Sequence, residues 1–297
     1  MIMKQVPKNI NGFTLYNKKP NTLDKGYYYQ KELFFDIDND YKNRMIRVYL
    51  PSDYDFNNPN KKYPVIYMTD GQNLCDHYLS GYGEWCVDET IEDRLNHHKR
   101  GFIAVGIDCP RDEDQRVIEM TISCPSKYAV EEMGVDYVKK LHKGQGFADK
   151  LAKFILKTVK PLVDETFFTL KNKKNTAVGG SSMGGLMAFY MGMKYKNIVG
   201  YSLCFSPGFL IYKSDYFKRQ LTNANLDVSK FGKFFLYVGG VGFEKTFVEL
   251  TFACYDILTN KGFTCDKLRL VYDTNNIHHE KPWSVYFPIG ISFWLDK

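Results

Sequence analysis

The chain contains no uninterrupted apolar run of membrane-spanning length, and Met1 to Asn17 has no apolar stretch behind its lysine. Neither a bilayer-crossing helix nor an export signal is therefore expected, and a cytoplasmic protein with no membrane partner is the expectation. Cys-x-x-Cys pairs are also missing. The seven cysteines, an odd number, read as reduced thiols used as small core residues rather than as a disulfide framework. There is no His-Glu-x-x-His, and the His-His-Glu of 278–280 has no Pro-Cys-x-x-Cys to accompany it, so no metal is expected. The run Gly239-Gly240-Val241-Gly242 has neither a Lys-Ser/Thr ending nor Gly-x-Gly-x-x-Gly spacing, which argues against a nucleotide and leaves no cofactor to expect. A continuous basic face is absent as well. The formal charge of +6, from 40 basic and 34 acidic residues, is scattered in short groups such as Lys171-Asn172-Lys173-Lys174, and nucleic acid is not an expected partner. Self-association is left open.

What is present is a repeating order of short apolar strands and helices. Leu33–Ile37 and Met45–Leu50, rich in β-formers and separated by a turn-forming run, read as an antiparallel pair. From Pro64 onward, strands are expected at 65–68, 102–107, 177–179, 201–205, 234–238 and 268–271, alternating with helices. That alternation predicts an α/β fold with a mainly parallel sheet covered on both faces. Leu151, Phe154, Ile155 and Val159 form a helical stripe ended by Pro161, and Phe247, Leu250, Cys254, Ile257 and Leu258 form another closed by Gly262. With no repeat, linker or shift of composition, residues 28–297 read as one domain. The polar residues 1–27 read as an N-terminal extension or surface-hugging segment, and 110–146 as a wall or lid over a pocket.

The most informative segment is Gly180-Ser181-Ser182-Met183-Gly184, between the strand ending at Gly179 and a helix expected over Met183–Lys194. Gly-x-Ser-x-Gly on a tight strand-to-helix turn exposes a serine hydroxyl and aims the positive end of the helix at developing negative charge. Ser182 is the candidate nucleophile. A serine needs a base, and the base needs a carboxylate to fix its tautomer. His77, His97, His98 and His142 precede Ser182, whereas hydrolases built on this turn order their residues serine, acid, histidine. His278 and His279 are then the candidate bases. Glu244, just past the strand 234–238 and its glycine loop, is the candidate acid, with Asp273 in reserve. The main-chain N–H of Met183 and that of Gln72, in the turn Asp70-Gly71-Gln72, are the candidate oxyanion donors. Asp70, Trp85 and Trp283, together with Tyr78, Tyr82 and Phe209, are candidates to line a substrate pocket.

These residues resemble the Putative esterase family of α/β hydrolases, which includes feruloyl and acetylxylan esterases, siderophore trilactone esterases, S-formylglutathione hydrolase and mycolyltransferases. The resemblance spans roughly residues 30 to 297. It rests on Tyr63–Leu74, Trp85–Thr90, Val105–Asp108, Ala177–Leu186 and Phe205-Ser206-Pro207 in order. The family's His-x-Glu-x-x-Trp pattern maps onto His278, Glu280 and Trp283 and so favours His278 over His279. Two departures stand out: Ile277 where the family has glycine, and a longer loop from Val238 to Glu244. The resemblance implies an α/β-hydrolase fold and a serine esterase that works through an acyl-enzyme on a small ester, such as an acetyl or feruloyl sugar ester. A trilactone esterase, an S-formylglutathione-type thioesterase, an acyltransferase on the same triad, and a non-catalytic binding protein are the alternatives.

Overall fold

The computed structural model describes residues 6–37, 43–123 and 146–296. Its centre is a ten-stranded sheet made of β1 (Asn9–Ile10), β2 (Phe13–Leu15), β3 (Tyr27–Phe34), β4 (Asn43–Leu50), β5 (Val65–Thr69), β6 (Ile103–Ile107), β7 (Thr176–Ser181), β8 (Tyr201–Phe205), β9 (Lys233–Gly239) and β10 (Leu268–Asp273). Their order across the sheet is β1-β2-β3-β4-β6-β5-β7-β8-β9-β10. The first four strands pair antiparallel, and β4 pairs antiparallel with β6. Every neighbour from β6 to β10 is parallel. Residues of β5, β6, β7 and β8 are buried throughout, which is why these strands read as unbroken apolar runs rather than as alternating ones.

Helices cover both faces. On one, α1 (Val87–Asn96) and the C-terminal helix Glu280–Leu295 bury Val87, Ile91, Phe287 and Ile291 against Ile66, Met68, Phe205 and Phe235. The opposite face packs under α2 (Glu113–Met120), α3 (Ala148–Lys153), α4 (Lys160–Thr166), α5 (Met183–Lys194), α6 (Ser214–Asn223) and α7 (Lys245–Asn260); the C-terminal helix is α8. A fully buried Phe or Leu in either layer contributes about 1.5–3 kcal/mol from surface removed from water. Among the described residues, no helix is long and apolar enough to cross a membrane.

One feature of the topology places the site. After β5 the chain crosses through α1 to β6, whereas after β7 it crosses through α5 to β8 on the other side. The two connections leave in opposite directions, so a crevice opens at the carboxyl ends of β5 and β7, where α/β sheets bind ligands.

The structure alters three expectations. Residues 9–15, read as part of a surface extension, instead pair as β1 and β2 at the sheet edge, with Phe13 buried against Phe167. A polar composition hid the few apolar residues that this short edge needs. The strand expected over 33–37 is β3, which begins at Tyr27 and ends at Phe34, its register set by pairing with Leu50 through Asn43. Helix α3 does not stop at Pro161 either; it continues through a π-helical turn, Phe154–Val159, into α4. There the Lys160 N–H reaches back to the Ile155 carbonyl, and this widened turn accepts a proline that lacks a donor and would crowd a normal turn. Of the stretch expected to form a lid, residues 110–123 and 146 are described and include α2, while 124–145 lie outside the described residues.

Candidate functional site

Ser182 stands between β7 and α5 with φ 56° and ψ −120°. An L-residue at positive φ is strained, and three hydrogen bonds hold it there: its N–H donates to the Phe205 carbonyl (2.9 Å), and its own carbonyl accepts from Gly208 N–H (2.9 Å) and Leu186 N–H (3.0 Å). Gly180 is required by close approach, because a Cβ there would meet the Gly184 backbone at 2.8 Å. The first N–H groups of α5, including that of Met183, have no carbonyl one turn earlier in the helix and make up the positive end of its dipole. Across the crevice, Asp70 (φ 56°) follows β5 and Gly71–Asn73 forms a single 3-10 turn. A Cβ on Gly71 would sit 2.5 Å from the backbone of Gly106, so the turn lies flat against β6. The Gln72 side chain is tied to Cys109, accepting from its N–H (3.2 Å) and donating to its Sγ (3.1 Å). The Gln72 side chain is thus committed to Cys109.

Glu244 and His278 meet. Glu244 follows β9 at the start of α7 and is 0% exposed. Its Oε2 is hydrogen-bonded to His278 Nδ1, and its Oε1 accepts from the Ser206 hydroxyl and from Gly239 N–H (2.8 Å). Three partners thus surround one buried carboxyl. The His278 ring is stacked on Phe247 (4.4 Å between centroids) and meets the edges of Trp283 (4.9 Å) and Phe243 (5.4 Å). With Nδ1 held by Glu244, Nε2 is the other ring nitrogen and is not bound to that carboxyl. The remaining candidates are engaged elsewhere. His279 accepts the Lys281 N–H (3.1 Å) and caps α8. Asp273 accepts from Asn275 N–H (2.9 Å), Asn276 Nδ2 (2.6 Å) and the Tyr286 hydroxyl (2.5 Å), and the Tyr286 bond leads in holding its carboxyl below the ordinary range.

The expected pocket residues divide. Trp85, Trp283 and Phe209 are buried core residues; the two tryptophans pack on each other (5.8 Å) and Trp283 Nε1 donates to Ser206 Oγ (2.9 Å). Their large apolar rings are more stable under the sheet edge than in a wet cleft. Tyr78 and Tyr82 are exposed, on a loop whose Gly83 would bring a Cβ to 3.4 Å from His279 and Glu280. Asp70 is buried and bound bidentately by Arg116, with Nε to Oδ1 at 2.8 Å and Nη2 to Oδ2 at 3.0 Å. Burial pushes the Asp70 carboxyl up, but the Arg116 charge and hydrogen bonds outweigh it and hold the group below its ordinary value. Asp70 therefore pairs with a protein cation rather than standing open to a ligand.

Two residues escaped the sequence reading. Arg116 lies on α2, beyond any motif. Ser206, in the matched Phe205-Ser206-Pro207, has φ 42° and joins Trp283 to Glu244; its signal was a serine at the carboxyl end of the strand beside the elbow.

Comparison with known proteins matches the Putative esterase family over residues 41–215. The uncharacterized protein YbbA of Bacillus subtilis (strain 168) is 22% identical over 85% of this chain and 92% of its own length. A ferulic acid esterase superposes with a TM-score of 0.66 at 15% identity, covering 92% of this chain and 98% of that one. The siderophore hydrolase EstB from Aspergillus nidulans superposes with a TM-score of 0.66 at 18% identity, covering 91% and 95%. At such identities the structural likeness speaks to the fold, while the family match covers more than half of the sequence. The chain belongs to the Putative esterase family and is a carboxylic ester hydrolase of the α/β-hydrolase fold.

Proposed function

We propose that the protein hydrolyses a small ester through an acyl-enzyme on Ser182. His278 Nε2 takes the hydroxyl proton as Ser182 Oγ attacks the carbonyl carbon, and the N–H groups of Met183 and Gln72 stabilise the oxyanion. The tetrahedral species collapses, the alcohol leaves with the proton held by His278, and the acyl group stays on Ser182. Water, deprotonated by the same imidazole, then attacks the acyl carbon and releases the acid. Glu244 keeps Nδ1–H of His278 pointed away from Ser182 and balances the imidazolium charge.

The observation that carries this reading is the fully buried Glu244 carboxylate bound to His278 Nδ1, at the same sheet edge where Ser182 is held at positive φ. Main-chain continuity ties the two parts together: Ser182 N–H bonds Phe205, and the next residue, Ser206, bonds Glu244. The proposed substrates are acetyl or feruloyl esters of sugars, with exposed Tyr78 and Tyr82 on the loop beside His279 as stacking surfaces. A trilactone, an S-formyl thioester or transfer to an alcohol would use the same groups. A rate panel over acetyl, feruloyl, trilactone and S-formyl substrates, with and without an added alcohol, separates them. The test of the mechanism is labelling by a fluorophosphonate: one adduct per chain on Ser182 is expected, and an unlabelled protein that still turns over esters would overturn it. The odd cysteine count and the free state of the six described cysteines support a reducing, cytoplasmic setting.

A further inference from the structure

The loop that carries Trp85 and the first turn of α1 bring a thiol and three carboxylates together. Ligand atoms of Glu84, Cys86 and Glu89 all lie within 4.8 Å of one another. Glu84 Oε1, Glu89 Oε2 and Asp88 Oδ1 are each buried and accept from no N–H or hydroxyl of another residue, so that Asp88 and Glu89 meet only through a shared proton. Asp88 is 0% exposed, and its carboxyl faces that of Glu89. The other oxygen of Asp88 accepts from Asp24 N–H (2.9 Å), and the other oxygen of Glu84 accepts from the Thr22 hydroxyl (3.1 Å). Among the described residues, no lysine, arginine or histidine forms an ion pair with any of the three. Cys86 itself sits at φ 53°, a conformation in which glycine would be unstrained, so a side chain is kept there against the backbone preference.

Burying a carboxylate without a partner is costly, and the helix dipole at the start of α1 offsets only a small part of it. A cation among the orphaned oxygens removes the cost. We propose that Glu84, Cys86 and Glu89 bind a divalent transition metal, zinc by its chemistry, with a water in the fourth position. A thiolate sulfur excludes calcium and magnesium, which take oxygen ligands, and a mixed sulfur and carboxylate set suits four-coordinate zinc. On binding, the Cys86 thiol gives its proton to solvent as the zinc–sulfur bond forms. The ion fastens the N-terminal segment, through Thr22 and Asp24, to the loop whose Trp85 backs Trp283 behind His278. It is thus a structural clamp, independent of the assignment of Ser182.

The competing occupant is protons. Burial first, then the Glu89 charge, pushes the Asp88 carboxyl up to about 9 and that of Glu84 to about 7, with Cys75 and Asp76 facing the same cluster from the loop after β5. The chelator-treated full chain, titrated calorimetrically with zinc chloride, distinguishes the two. One equivalent of zinc is expected to bind, to release protons and to raise Tm by roughly 5 °C at saturating metal. Glu89→Gln, which mimics a protonated carboxyl and so folds on either reading, is expected to lose that uptake. Cobalt(II) is expected to give a thiolate charge-transfer band that Cys86→Ser removes. No zinc uptake, uptake retained in both variants, or a cobalt spectrum unchanged by Cys86→Ser overturns the proposal. So does a Tm indifferent to zinc that climbs as pH falls from about 8 to about 6, which identifies shared protons.

Discussion

The Ser206 hydroxyl donates to Oε1 of Glu244 and accepts from Trp283 Nε1 at 2.9 Å, so one small residue links the acid behind His278 to the tryptophan packed on its edge. A hydrogen bond to a buried ionised group is worth about 1.5–3 kcal/mol and steadies both its charge and its position. In the proposed reaction Ser206 is expected to act as a positioning residue. Ser206→Ala is expected to lower kcat about tenfold with little change in KM. Ser206→Thr should restore most of that loss. A drop in Tm with kcat unchanged would mean that Ser206 serves only packing.

Ser182→Ala removes the proposed nucleophile, a half-buried hydroxyl. Turnover should fall by about ten-thousand-fold or more, Tm should change little, and the fluorophosphonate mass shift should vanish. Near-normal hydrolysis by this variant would take Ser182 out of the reaction.

Glu244 and Asp273 provide a contrast between two carboxylates after neighbouring strands. Glu244→Gln keeps the shape but cannot balance an imidazolium, and a loss of about 10³–10⁴-fold in kcat is expected. Asp273→Asn breaks a loop network anchored by Tyr286 and should cost stability, with kcat within about threefold of wild type. Reversal of the two effects would transfer the acid role to Asp273.

Glu280 gives a stability change with a definite sign. Burial, and to a lesser degree the Asp70 charge, push its carboxyl up to about 7 from 4.5, with Arg116 opposing. The folded chain therefore holds a proton that the unfolded chain has released, and this group costs stability as pH rises from about 4.5 through about 7. Glu280→Gln cannot ionise. It should melt alongside wild type near pH 4.5 and be more stable above pH 7, by about 1–2 kcal/mol once solvent screening of a group not wholly enclosed is allowed for. Parallel melting curves of the two proteins from pH 4.5 to 8 would count against a raised Glu280.

Motif and periodicity made much of this molecule legible beforehand. The elbow was readable because its chemistry is local: a strand, a small-residue turn and the helix Met183–Lys194 occupy consecutive residues, and the helix has those bounds in the structure. Buried strands such as Tyr201–Phe205 were readable for the same reason, since a strand covered on both faces is an unbroken apolar run. Edge strands β1 and β2 were not, because so short a pairing takes its identity from β3 and leaves little pattern of its own.

The sequence by itself determined the α/β order of elements and, through the Gly-x-Ser-x-Gly turn and a histidine near the C-terminus, the chemistry that is proposed. Only the tertiary structure decided which carboxylate meets His278, that His279 caps a helix, that Asp70 is taken by Arg116, and that Trp85 and Trp283 pack behind the site instead of lining it. The reason is physical. Strand and helix formation depends on neighbours a few residues apart, whereas a hydrogen bond between residues 34 positions apart depends on where β9 and β10 end in the sheet, and burial depends on everything packed around them.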